Sequence, residues 1–101
     1  MIQIPQQLRN ETYGLCLVRK RSKDPSIGGK EWQNKPLKHS DKKLVSHLNN
    51  DGNYGVIGGH GNLIILDIDN KNLGNELVKR INTFTVETCG GSFHFYFEST
   101  Y

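Results

Sequence analysis

The run Asn62-Leu63-Ile64-Ile65-Leu66-Asp67-Ile68-Asp69 constrains this chain more than any other stretch. An apolar, β-branched segment ends in two carboxylates one residue apart. In an extended strand, residues i and i+2 point to the same face. Asp67 and Asp69 are therefore expected side by side, with Leu63 and Ile65 beneath them. Ile64, Leu66 and Ile68 are expected to fill the opposite face. Two like charges at the end of a buried strand are costly unless a cation or hydrogen-bond donors meet them. The alternative is a strand whose polar end simply reaches water, with both carboxylates solvated.

The chain around this strand has 101 residues, which suits one domain spanning 1–101. Hydrophobic residues make up 35% of it. That share is modest for a self-sufficient domain and leaves room for a surface that faces another domain or chain. The formal net charge of +3 is compatible with a polyanionic partner without demanding one. Cys16 and Cys89 form no C-x-x-C pair, so neither a zinc signature nor a disulfide framework is indicated. Reduced thiols in a cytosolic protein are expected. No apolar run has the length of a transmembrane helix. The segment Met1-Ile2-Gln3-Ile4-Pro5 lacks the basic and hydrophobic regions of a signal peptide. The expectation is a soluble, cytoplasmic protein with no membrane partner.

Taken in order, Pro5 can start a short helix reaching about Asn10. Tyr13-Gly14-Leu15-Cys16-Leu17-Val18 reads as a strand that closes on the basic cluster Arg19, Lys20, Arg21 and Lys23. Residues 21–39 read as a loop, with turn signals at Asp24-Pro25-Ser26 and Gly28-Gly29. Trp32 lies inside this polar segment, where it either folds back as an anchor for the loop or stacks on a ligand. The spacing of Leu44, Val45 and Leu48 predicts a helix capped by Ser40 or Asp41. Asn49-Asn50-Asp51-Gly52 ends it, with Gly52 the candidate for a left-handed residue. Tyr54-Gly55-Val56-Ile57 and the aspartate strand, joined by Gly58-Gly59-His60-Gly61-Asn62, predict a β-hairpin. Leu73, Leu77, Val78 and Ile81 predict an amphipathic helix over 70–82. A second hairpin follows, through Phe84-Thr85-Val86-Glu87-Thr88, the turn Cys89-Gly90-Gly91, and Ser92-Phe93-His94-Phe95-Tyr96-Phe97-Glu98. In its last strand Phe93, Phe95 and Phe97 share one face, and Ser92, His94, Tyr96 and Glu98 the other. The fold class is α+β, a largely antiparallel sheet with two or three helices.

Paired carboxylates on one strand face suit hard divalent cations such as Mg²⁺ or Mn²⁺. In two-metal phosphoryl transfer such ions lie about 3.5–4 Å apart and clamp the attacking and leaving oxygens. An EF-hand is excluded: the loop would need glycine and glutamate where this chain has Asn72 and Val78. His94 is the second candidate. It shares its face with Ser92, follows a glycine pair, and lies on a strand that the intervening helix allows to run beside the aspartates. It suits contact with a nucleotide phosphate or metal-bound water. Hydroxyls at Ser92 and Thr88 can add hydrogen bonds, and the backbone at Gly91 permits close approach of a ligand. Arg19, Lys20, Arg21, Lys23 and Lys30 bracket the first loop and are candidates for phosphate contacts with nucleic acid. A solvated basic loop is the other reading of that cluster.

Six stretches then fall in a telling order: Tyr13 to Val18, Lys30-Glu31-Trp32-Gln33, Asn53 to Gly59, Leu66-Asp67-Ile68-Asp69, Thr83 to Thr88, and Gly90 to Phe97. In that order they resemble the N-terminal part of the bifunctional DNA primase/polymerase (prim-pol) domain, within the archaeo-eukaryotic primase superfamily common in plasmids, viruses and mobile elements. The resemblance implies that Asp67 and Asp69, as a D-h-D motif, are catalytic metal ligands. It implies that Ser92 and His94 form the nucleotide-binding s-x-H motif, with His94 contacting the incoming nucleotide's phosphates. Templated nucleotidyl transfer follows, with Mg²⁺ or Mn²⁺ as cofactor and DNA and nucleoside triphosphates as partners. The family's third acidic motif, h-D, comes some way after the histidine; here Glu98 is the one acid beyond His94, and it stands too near. The expectation is a first portion of the catalytic core, completed by a downstream segment or a second chain. The alternative is a non-catalytic DNA- or nucleotide-binding module, such as a primase accessory subunit. A glycosyltransferase fragment, which also carries D-x-D, is disfavoured by the Gly-Gly-x-x-His strand and by the absence of a preceding nucleotide-binding βαβ.

Overall fold

The computed structural model describes residues 2–25, 29 and 32–99. The turn signals at Ser26 and Gly28, the motif residue Glu31 and the basic candidate Lys30 lie outside the described residues. The chain divides into two compact units, Met1–Gly61 and Asn62–Tyr101.

In the first unit, a 3₁₀ turn at Gln6–Leu8 stands where a short helix is expected. Strand β1 (Gly14–Val18), helix α1 (Lys42–Asn49) and strand β2 (Asn53–Ile57) follow. β1 and β2 pair antiparallel, with Cys16 opposite Gly55. The long loop returns to the same strand: Leu15 and Leu37 exchange two backbone hydrogen bonds of 2.8 Å. Trp32 packs against Cys16, Val18 and Ile57, so it is the loop's anchor. Helix α1 is capped by Asp41, whose carboxylate accepts from the Lys43 amide at 2.8 Å. His47 ties the helix to β1 through Nε2, 2.7 Å from the Val18 carbonyl.

The end of α1 corrects one expectation. The left-handed residue is Asp51, with φ 65°, and not Gly52. The Gly52 amide donates to the His47 carbonyl at 2.8 Å and the Asp51 amide to the Leu48 carbonyl at 3.1 Å. This is the paired closure of a Schellman motif, which places the left-handed residue one position before Gly52. A short polar side chain such as Asp tolerates that conformation.

In the second unit, β3 (Leu63–Ile68), α2 (Lys71–Arg80), β4 (Thr85–Glu87) and β5 (Phe93–Glu98) form a three-stranded sheet in the order β3-β5-β4. Both ladders are antiparallel, so β3 and β4 run parallel on either side of β5. α2 is the crossover between them. Its N-cap is Asn70, whose side chain accepts from the Leu73 amide at 3.0 Å. The α+β class and the antiparallel sheets match the expectation, with two α-helices.

The hairpin predicted between residues 54–57 and the aspartate strand does not form. β2 pairs with β1 and β3 pairs with β5. Gly59, Gly61 and Asn62 all have positive φ, and this connection joins one unit to the other instead of closing a two-strand ladder. The second hairpin does form, as β4 and β5. Its turn closes with the Thr88 amide on the Ser92 carbonyl at 2.8 Å and the Gly91 amide on the Thr88 carbonyl at 3.0 Å. Gly91 carries φ 87°, which explains glycine there.

The second unit's core departs from the periodic reading. Phe95 is fully buried, and Phe93 nearly so. On α2, however, the buried residue is Gly74, while Leu73 and Val78 are exposed. A Cβ at position 74 would lie 2.2 Å from the Phe93 ring. The missing side chain lets the helix sit directly on that ring, and this rotates the expected leucine and valine outward. Ile64 and Leu66, expected to fill the far face of β3, are 53% and 41% exposed. Among the described residues β3 has β5 as its one partner strand, and α2 packs on the sheet at the Phe93 end.

Candidate functional site

The strand pair β3–β5 brings the two sequence motifs together. Its register sets Asp67 opposite His94 and Ile68 opposite Phe93. Directly opposed residues of an antiparallel pair share a face. Asp67 and His94 therefore point the same way, along with Ile65 and Tyr96 further down the ladder. His94 Nε2 lies 3.5 Å from Asp67 Oδ1. The histidine side chain is one-third exposed and the aspartate more than half, so water screens this contact.

One step past the ladder the same alignment continues. Asp69 lies just beyond β3 and Ser92 just before β5. The Ser92 hydroxyl donates to Asp69 Oδ1 at 2.6 Å. Thr88 supports the serine from behind: its Oγ1 accepts from the Ser92 amide at 3.1 Å. Gly91 leaves open space at its α-carbon. Asp67, Asp69, Ser92 and His94 thus form a small polar ladder at one end of the sheet, with Thr88 and Gly91 in the adjoining turn.

The donor set fits a hard divalent cation in kind, since both carboxylates are exposed oxygen donors on neighbouring positions. Asp69 retains one oxygen outside the serine bond. Among the described residues, no three His, Cys, Asp or Glu side chains gather as a metal cluster. Glu98 stands opposite Leu63, at the other end of the strand pair from Asp69.

The basic candidates belong to the first unit. Arg19 pairs with Asp24 at 3.2 Å, and Lys20 approaches Asp51 at 4.0 Å. Among the described residues, Arg21 and Lys23 show no carboxylate partner. Arg21 holds φ 55° and lines a cavity of ≈ 330 Å³ with Ile2, Lys20, Asp51 and Asn53.

A family model described as bifunctional DNA primase/polymerase, N-terminal, matches residues 6–100. The chain belongs to this prim-pol family. The match spans nearly all of its length, including both motifs of the ladder. Prim-pol function is of the primase/polymerase type in DNA replication, with DNA and nucleotides as substrates, and the family is typically metal-dependent. Comparisons with curated proteins and with solved structures return no significant match. Among the described residues, no helix is long and apolar enough to cross a membrane.

The serine–aspartate bond is the contact that sequence reading misses. Ser92 is read there as a nucleotide contact, as part of s-x-H. The signal is present nonetheless. D-I-D and S-F-H have equal spacing, so laying them antiparallel pairs first with last.

Proposed function

We propose that this prim-pol chain carries the metal- and nucleotide-binding portion of a DNA-templated nucleotidyltransferase. The observation that supports this reading most is the β3–β5 register, which sets Asp67 against His94 and leads Asp69 to Ser92. Asp67 and Asp69 are the residues that hold Mg²⁺ or Mn²⁺. A divalent ion bound there neutralises triphosphate charge and favours the ionised form of an attacking hydroxyl. His94 presents a ring N–H to the phosphates of the incoming nucleotide, from the strand beside the carboxylates. The reaction is attack by a primer 3′-hydroxyl on the α-phosphate, forming a phosphodiester and releasing pyrophosphate. Gly91, with open space at its α-carbon, allows the nucleotide close to the turn. Arg21 and Lys23, which show no carboxylate partner among the described residues, are the first choices for DNA phosphate contacts. Arg19 and Lys20 contribute less, because Asp24 and Asp51 already engage them.

Calorimetric titration of the chain with Mn²⁺ and a dNTP tests the site. Wild type is expected to bind both, and Asp67→Ala and Asp69→Ala to lose the metal. Unchanged binding in both variants sinks the metal assignment. Primer extension on a DNA template then tests turnover, with His94→Ala expected to weaken dNTP binding and extension together.

A second reading, a non-catalytic DNA- or nucleotide-binding module, draws on the two-carboxylate donor set, which no third acid joins among the described residues. Intact Mn²⁺ and dNTP binding without extension at high protein concentration selects it.

A further inference from the structure

Ser92 has one hydroxyl proton, and the structure commits it. A carboxylate can only accept, so at 2.6 Å from Asp69 Oδ1 the serine is the donor. The distance is that of a short, charge-assisted hydrogen bond. The serine backbone is fixed as well. Its amide donates to Thr88 Oγ1 at 3.1 Å and its carbonyl accepts from the Thr88 amide at 2.8 Å. The hydroxyl therefore projects from a turn braced on both sides.

Among the described residues, the Asp69 side chain shows no hydrogen bond other than that from Ser92. Asp69 lies past the last paired residue of β3 and before the Asn70 cap of α2, with its side chain exposed. Without Ser92 its carboxylate is free to rotate away from Asp67. The serine bond uses one oxygen and leaves the other for a ligand.

We propose that Ser92 is a positioning residue for Asp69, holding its carboxylate in place for a divalent cation. The proposal rests on the reading that Asp67 and Asp69 hold that cation. Thr88 acts one step further out, by fixing Ser92. Hydrogen-bond partners behind metal ligands typically change metal affinity by 10–100-fold when removed. The exposure of Asp69 places the expected effect at the low end, about tenfold.

The test is Mn²⁺ binding to the full chain without nucleotide, followed by calorimetry. Wild type, Ser92→Ala, Ser92→Thr and Asp69→Asn are compared, with thermal melts as the folding control. A phosphate ligand leaves binding of Mn²⁺ alone untouched, so this readout separates the two roles. The expected result is about tenfold weaker Mn²⁺ binding in Ser92→Ala, recovery in Ser92→Thr, and loss in Asp69→Asn. Wild-type Mn²⁺ affinity in Ser92→Ala overturns the proposal and leaves the metal site standing. Wild-type affinity in Asp69→Asn overturns the metal reading itself, and the positioning role with it. Should Ser92→Ala unfold, Ser92→Cys keeps the size with a weaker donor. Its Mn²⁺ affinity is then expected below wild type, and equality with wild type overturns the proposal.

Discussion

Residues 2–61 bury Ile4, Leu8, Leu15, Leu44 and Leu48, and among their large apolar side chains Ile2 and Val45 are exposed. Residues 62–99 bury Leu63, Phe93, Phe95 and Tyr96, yet leave Ile64, Leu66, Leu73 and Val78 open to solvent. The first unit assigns its helix to core packing, since Leu44 and Leu48 point inward and His47 bonds to the β1 backbone. The second packs its helix through a glycine and gives one end of its sheet to a polar ladder. Its core therefore depends on few residues, chiefly the phenylalanines of β5. The comparison teaches that the candidate site of this chain is positioned by strand register more than by the depth of the core around it.

Truncating each core tests this contrast most strongly. Phe95→Ala removes a fully buried ring and is expected to cost about 3–5 kcal/mol. Leu44→Ala, equally buried in the first unit, is expected to cost about 2–5 kcal/mol. Urea unfolding gives both values. A smaller loss for Phe95→Ala than for Leu44→Ala would break the claim that the second core hangs on β5.

Gly74→Ala comes next. Alanine is the better helix former by about 1 kcal/mol, but its Cβ meets the Phe93 ring at 2.2 Å. Overpacking is expected to win, with a net loss of about 1–3 kcal/mol by thermal melting. A stabilised variant would show that the helix has room to shift on the sheet.

The two helix caps should be matched. Asp41→Ala and Asn70→Ala each remove one side-chain acceptor from a first-turn amide and are expected to cost about 1 kcal/mol. Unequal losses in the two variants would sharpen the contrast between the units.

The smallest effect is a slope with pH. Burial pushes the Cys16 thiol above its ordinary value of 9.0, against a partial pull from a Gly55 backbone hydrogen bond. The folded thiol stays protonated where the unfolded one ionises, so unfolding releases a proton and stability falls as pH rises past about 9. Burial raises Tyr54 in the same direction from 10.0. Urea midpoints for wild type and Cys16→Ala between about pH 8 and pH 10 should converge as the wild type loses its advantage. Parallel lines would mean that the thiol is free to ionise in the folded unit.

Much of this was legible in the sequence, for reasons that differ by element. The first helix announces itself through its cap, and Asp41 does cap it, whereas the second is read from apolar spacing alone and its Asn70 cap emerges from the structure. The alternation on residues 92–98 gives β5 and its two faces. The prim-pol motifs give the ladder's membership. Strand pairing was less legible, because the turn at residues 58–62 looks like any glycine-rich hairpin and β2 finds its partner in β1. Apolar periodicity also misled on α2, where the residue that matters for packing is the one with no side chain. The bond from Ser92 to Asp69 needed the register, which no single motif carries.

That register also sets which changes in chain length the ladder can absorb. Residues between Asn70 and Gly91 connect the two strands but do not decide which residue of β3 faces which residue of β5. Insertions in the α2–β4 connection are expected to leave the aspartates facing the serine and histidine. A single deletion inside Phe93–Glu98 is different. Strand side chains alternate in steps of two, so the deletion moves either the histidine or the phenylalanines to the wrong side. The ladder is expected to tolerate added length in the α2–β4 connection and to lose its pairing to a one-residue change in the strand that carries His94.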